Sequence, residues 1–245
     1  MDPSKHRGLA ALVELDRDHP GFRDRDYRKR RDAIAALALA YREGDPAPRV
    51  DYTLDEHAVW ATVFRELDPL HERHACKAYL TAREALRLDR ARVPQLEEVN
   101  ASIAPSGFRL SPVAGLVSPR RFMEFLAGGV FLATQYMRHP STSLYTPEPD
   151  VIHEVIGHAV SLADPTFARL NRLFGEAAMR ADDDGIEALI RLYWFTLEFG
   201  LVEEQGALKA CGAGLLSSYG ELSRHGSAAE HRPFDVKAIE HTPFD

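Results

Sequence analysis

Thirteen residues without periodicity, RHPSTSLYTPEPD at 138–150, interrupt a chain whose other long segments mostly repeat their apolar residues at helical spacing. Its three prolines each remove a backbone donor and fix φ, so the stretch suits neither a helix interior nor a central strand. Loops of that length inside compact domains are usually functional, and binding residues favour loops held on a rigid scaffold. The segments on either side are therefore the place to look for that scaffold.

The scaffold reads as helical. Helices are expected over residues 27–42, stopped by Gly44, and over 54–67, 76–85 and 94–103, the last opening on Pro94. Residues 107–118, broken by Pro112 and Gly115, suit an extended stretch and a loop. Further helices are expected over 120–136, 150–163, 164–179 and 186–204, then a turn and a short segment at 215–222. Residues 1–26 read as an irregular arm, and the basic cluster Arg28–Arg31 as a solvated helix face. The pattern predicts one mainly α domain over 27–245 with a few short strands.

Composition removes several function classes. The 245 residues carry 30 Lys+Arg against 37 Asp+Glu, a net charge of −7 without the basic excess of a nucleic-acid binder. The apolar run at 125–137 is too short to span a bilayer and contains Gln135. No apolar signal segment follows Met1, so a cytoplasmic location is expected. Two cysteines, Cys76 and Cys211, supply neither a disulfide framework nor a cysteine zinc site. Without a long C-terminal heptad, a monomer is expected rather than a coiled-coil assembly.

The loop runs directly into VIHEVIGH, which places His153 and His158 five residues apart. Zinc proteases use HExxH, whose four-residue step leaves two side chains about 40° apart around an α-helix; five residues leave them about 140° apart. Sharing one metal then requires an irregular turn, which Gly157 favours. The neighbours Val151, Ile152, Val155, Ile156, Ala159 and Val160 are apolar, and imidazoles among them need partners that a divalent metal can supply. In the apolar segment LIRLYWFTLEFGLV the one carboxylate is Glu198, and its nearest basic residue, Arg191, lies roughly 10 Å away along a helix axis. Two histidines and a carboxylate suit non-haem Fe(II) with open positions, but a three-ligand zinc site uses the same residue types.

YTPEPDVIHEVIGH, YWFTLEFGL and GAGLLSSYGEL resemble the aromatic amino acid hydroxylases, the tetrahydropterin-dependent iron monooxygenases. HPGFRDRDYRKRR, HACKAYL, VPQLEEVN and GFRLSPVAGLVSPRRF extend the resemblance in order over residues 18–245, most like the prokaryotic phenylalanine 4-hydroxylases. It implies a catalytic domain with no separate amino-terminal regulatory domain. It implies Fe(II) held by His153, His158 and Glu198, with O2 as co-substrate. It implies a tetrahydropterin against Gly115, Leu116, Val117 and Pro119, stacked on Phe122, with Glu154 at its edge. Arg138 would pair with the substrate carboxylate, Thr146 and Ser217 would meet the amino acid's polar end, and Pro149, Trp194 and His153 would border its ring. Tyr145 falls at an active-site tyrosine of the family, and Tyr145 and Glu154 are the expected catalytic pair. Pro119 departs from the small polar residue common there, and Cys211 from a tyrosine. The implied reaction converts L-phenylalanine to L-tyrosine. Tryptophan hydroxylation or phenylalanine 3-hydroxylation would use the same chemistry, and a zinc hydrolase or a non-catalytic amino-acid-binding protein are the alternatives of other classes.

Overall fold

The computed structural model describes residues 15–226 and 230–243. Residues 1–14 of the expected arm lie outside them. From Leu15 the chain runs through turns in which Leu15 and His19 are buried, then enters α1 at Arg25–Ala40. Asp24 caps α1 by accepting from the amides of Asp26 and Tyr27, which satisfies donors that a helix start leaves unpaired. The basic face of α1 is not wholly solvated. Arg31 is buried, its guanidinium bound to Glu148 and lying 3.7 Å over the Tyr136 ring.

Thr53 and Glu56 form a capping box that starts α2 (Leu54–His74). This helix continues through Pro69 for about two further turns beyond the expected end. Then come α3 (Lys77–Leu86) and α4 (Leu96–Ile103). Their buried faces (Trp60, Phe64, Leu67, Tyr79, Leu96, Ile103) enter one core with Leu110, Leu126, Phe131, Ile152 and Ile156. The expected extended stretch is β1 (Arg109–Pro112), followed by the loop to α5 (Pro119–Ala127).

The single helix expected over 120–136 is two elements. Gly129, at φ +71, turns the chain out of α5 in a conformation that strains L side chains. VFLA then forms β2 (Val130–Ala133), parallel to β1 in the register Arg109↔Val130. Four consecutive buried apolar residues suit a strand covered on both faces, and such a short run cannot be told from a helix by periodicity.

The thirteen-residue stretch is irregular, with one 3-10 turn at Pro140–Thr142. Beyond it the chain forms a π-helix at His153–Ala159 that continues as α6 (Val160–Leu162), then α7 (Pro165–Ala178) and α8 (Asp183–Tyr193). The helix expected over 186–204 is again composite. After α8 a second π-helix occupies Trp194–Glu198, and Leu201–Glu204 is β3, the first strand of an antiparallel hairpin with β4 (Ala207–Ala210). The short segment near 215–222 is two turns of helix, α9 (Ala213–Leu216) and α10 (Tyr219–Arg224), and α11 (Val236–Ile239) lies near the end.

Candidate metal centre

The two π-helices carry the three side chains singled out from spacing. Their hydrogen bonds run from i to i+5 rather than i+4, so residues five apart stack along the axis as residues four apart do in an α-helix. That resolves the spacing problem of His153 and His158, whose Nε2 atoms lie 2.9 Å apart. From the second π-helix, Glu198 brings Oε1 to 3.0 Å from His158 Nε2 and Oε2 to 3.8 Å from His153 Nε2. One ligand atom from each residue falls within 4.8 Å of the others. Arg191, the basic residue nearest in sequence, reaches Glu187 instead.

The hydrogen bonds fix which nitrogens face the centre. Ser217 Oγ donates to the Ala213 carbonyl at 2.7 Å, so its oxygen can only accept from His153 Nδ1 at 2.9 Å. His153 therefore carries its proton on Nδ1 and turns the Nε2 lone pair inward. Burial, and then the neighbouring His158, push its pKa down to about 4, which keeps it neutral. Burial also disfavours charge on His158, but the adjacent Glu198 carboxylate outweighs it and raises the pKa. Burial would lift Glu198, yet His158, His153 and the Gly214 amide hold it below the usual carboxylate range. Because His153 Nε2 and Glu198 Oε1 can only accept, the hydrogen between them belongs to His158 Nε2.

A divalent ion fits the place of that proton. Metal–nitrogen bonds of about 2.1 Å at right angles put adjacent donors about 3.0 Å apart, close to two of the three spacings here. His158 is nearly enclosed, whereas His153 and Glu198 keep 17% and 14% of their side-chain surface accessible. The cluster is open on one side. Phe131 lies 4.4 Å from the His158 ring, and Phe122 meets Phe131 and Tyr193 edge-on.

Gly157 lets the first π-helix pack. A Cβ there would meet the Ala213 carbonyl oxygen at 2.8 Å, inside any ordinary contact. Gly157→Ala is expected to destabilise the fold by about 1–3 kcal/mol, as overpacking does, and to weaken metal retention by tilting the His153–His158 turn. Thermal unfolding and metal content after desalting measure the two effects.

The other expected site residues fall around this cluster with partners of their own. Arg138 is buried, and its Nε and Nη2 grip both oxygens of Asp150 at 2.9 and 2.8 Å, while Nη1 has only a 3.4 Å contact to the Ser143 carbonyl. Burial opposes the charge on Asp150, but Arg138 overcomes it and keeps the carboxyl ionised. Asp150 also accepts from the His153 amide. Thr146 Oγ1 donates to the Glu148 carbonyl, and the Pro149 carbonyl accepts from Tyr136. Tyr145 stands exposed on the loop, and Trp194 is partly exposed against Phe199 at 4.7 Å. Ser217, expected at the amino acid's polar end, has its hydroxyl engaged by His153 and Ala213.

Gly115, Leu116 and Val117 lie in the loop between β1 and α5, Leu116 with its side chain in solvent, and Pro119 opens α5. Glu154 is buried, its Oε1 accepting from the amide and hydroxyl of Thr134, and burial pushes its pKa up to about 7. Spacing alone missed Asp150, Thr134 and the Arg31–Glu148 pair. The one cue available for Asp150 was an acidic residue just ahead of an apolar helical run, the signature of a helix cap.

Two helical histidines and a helical carboxylate around one open point form a donor set that suits a non-haem divalent metal. Residues 1–245 match the family described as biopterin-dependent aromatic amino acid hydroxylase, and the chain belongs to it. It is 50% identical over 229 residues to protein henna of Drosophila melanogaster, covering 91% of this chain and 50% of that protein. It is 49% identical over 250 residues to human tyrosine 3-monooxygenase, covering 100% of this chain and 47% of the human one. The chain thus spans about half the length of these curated relatives. Among solved structures it resembles Chromobacterium violaceum phenylalanine hydroxylase with bound iron(III) and 7,8-dihydrobiopterin, at TM-score 0.80 and 30% identity over 95% of this chain and 82% of that one. The cold-active phenylalanine hydroxylase of Colwellia psychrerythraea 34H matches at TM-score 0.78 and 29% identity, covering 83% and 79%. Among the described residues no helix is long and apolar enough to cross a membrane.

Proposed function

We propose that this chain hydroxylates the ring of a free aromatic amino acid, using Fe(II), O2 and a tetrahydropterin, and that the amino acid is L-phenylalanine, giving L-tyrosine. The observation that carries the reading is the convergence of His153, His158 and Glu198 within 4.8 Å on an open side of the core. Iron with the reduced pterin supplies the activation of O2 that no side chain can perform.

The protein's part is positioning. His153 and His158 present neutral nitrogens and Glu198 an ionised oxygen, a donor set that leaves positions free on an octahedral ion. The loop at 115–117, Pro119 and the Phe122 ring form the pterin wall, with Glu154 at the pterin's polar edge. Arg138 takes the substrate carboxylate through Nη1, the guanidinium edge that Asp150 leaves, while Thr146 and Tyr145 border the amino acid from the loop. Pro149, Trp194 and the His153 ring flank the aromatic ring. Ser217 acts one step back, by fixing the His153 tautomer.

A second reading has its own support. Identity to the animal tyrosine 3-monooxygenases, at 45–49%, exceeds that to the bacterial phenylalanine hydroxylases, at 29–31%, which favours tyrosine as substrate. Similar rings are separated by only about 1–3 kcal/mol in an apolar pocket, so the choice rests on product analysis. Supplied with Fe(II), O2 and reduced pterin, the protein is expected to convert phenylalanine to 4-hydroxyphenylalanine, read by mass spectrometry. Preferential formation of dihydroxyphenylalanine from tyrosine would assign the second reading. No hydroxylated product from phenylalanine, tyrosine or tryptophan would reject both.

A further inference from the structure

The corner between α2 and α3 holds a buried imidazole for which the site has so far had no use. His71, in the last turn of α2, is 1% exposed, and its Nε2 lies 2.7 Å from the carbonyl oxygen of Leu216. Its Nδ1 lies 3.1 Å from Arg83 Nη1, and Arg83 is paired with Asp68. Arginine can only donate, so Nδ1 holds the lone pair and the His71 proton is on Nε2, donated to Leu216.

The acceptor is in a telling place. Leu216 ends α9, a single turn too short to be stable by itself, and its carbonyl is one of those a helix C-terminus leaves unpaired. The next residue is Ser217, whose oxygen accepts from His153 Nδ1. A second donor comes from the same corner. Tyr79 meets the His71 ring edge-on at 5.0 Å, and its hydroxyl donates at 2.9 Å to the carbonyl of Ile156, between His153 and His158 in the first π-helix. Adjacent side chains of α2 and α3 thus hold the two backbone segments that orient His153, its own helix and the residue before its hydroxyl partner. An aliphatic side chain would fill the same volume and leave the Leu216 carbonyl and the Arg83 N–H unpaired.

We propose that His71 is a positioning residue for the metal centre: its Nε2–H fixes the Leu216–Ser217 turn, and through Ser217 the tautomer and orientation of His153. The inference rests on reading His153, His158 and Glu198 as metal ligands. Partners that orient a metal-bound histidine typically change metal affinity 10–100-fold when lost, and His71 stands one residue behind such a partner.

Cobalt(II) alone is the probe, titrated into the metal-free full chain and followed by its visible absorption, with thermal unfolding measured alongside. His71→Phe is expected to weaken cobalt binding about 10-fold, the low end of that range, and to shift the absorption bands, whereas His71→Gln, which keeps a side-chain N–H, recovers most of both. A merely structural histidine would lower the unfolding temperature and leave affinity and spectrum unchanged, and that result overturns the proposal. If His71→Phe does not fold, His71→Met takes its place, because its flexible side chain adapts to the same space and still removes the donor to Leu216. It is expected to weaken cobalt binding in the same direction, and unchanged binding overturns the proposal equally. Failure of the unaltered protein to bind cobalt would instead sink the metal-site reading beneath it.

Discussion

Replacing Glu198 by alanine is expected to leave the chain folded and, on the proposed function, to empty it of iron and abolish hydroxylation. The fold is expected to survive because Glu198 ends a π-helix in which Leu197 is the buried residue, while its own carboxylate faces the two imidazoles and the Gly214 amide. Iron is lost because two neutral nitrogens remain and the only anionic donor of the set is gone. A ligand touches the ion itself, so its removal lowers affinity by more than the 10–100-fold typical of groups that merely orient ligands. Metal content after desalting, circular dichroism and product formation separate the three claims. Glu198→Gln keeps the volume and one oxygen but not the charge, and is expected to fall between the alanine variant and the parent in metal retention. An alanine variant that holds iron as tightly as the parent would remove Glu198 from the centre.

That Glu198 belonged with the two histidines could be suspected from sequence because a lone carboxylate in LIRLYWFTLEFGLV is expensive to bury unpaired. That His153 and His158 need an irregular turn near Gly157 was legible too, but not that the turn is a π-helix. Spacing assumes an α-helix, and the π-helix that brings them to 2.9 Å is selected by tertiary packing, with Gly157 against Ala213, nearly sixty residues away. The helices with one apolar face were legible, as α1, α3, α4 and α7 show, with ends displaced by one or two residues. Short apolar runs whose partner strand lies elsewhere in the chain were not. Val130–Ala133 reads equally as helix or strand until β1 is beside it, and Leu201–Glu204 continues the apolar run of α8 although its chain has already turned. Arg31 shows the same limit for charge. Within RKRR nothing distinguishes the residue that a glutamate 117 positions away draws into the interior.

The second large effect is on stability, at the base of the loop. Asp150 is fully buried and Arg138 nearly so, joined by two side-chain hydrogen bonds, and the Asp150 carboxylate also accepts from the amides of Arg138 and His153. Removing one member of such a pair strands the other charge in the interior, at a cost of about 3–5 kcal/mol, a large share of the roughly 5–15 kcal/mol that holds a domain folded. Asp150→Ala should therefore lower the urea midpoint severely, and it also frees the first amide of the π-helix that begins at His153. Removing both partners is less damaging than the sum of the single losses, because no charge is then left alone, and the double-mutant cycle with Arg138→Met measures that coupling. Function separates the partners differently. Asp150→Asn keeps the shape and one acceptor, so the folded fraction should bind the amino acid with a raised KM as Arg138 loses its anchor, while metal content stays near that of the parent. An Asp150→Ala protein within 1 kcal/mol of the parent would mean that water enters the base of the loop and that Arg138 is not held rigid by this pair.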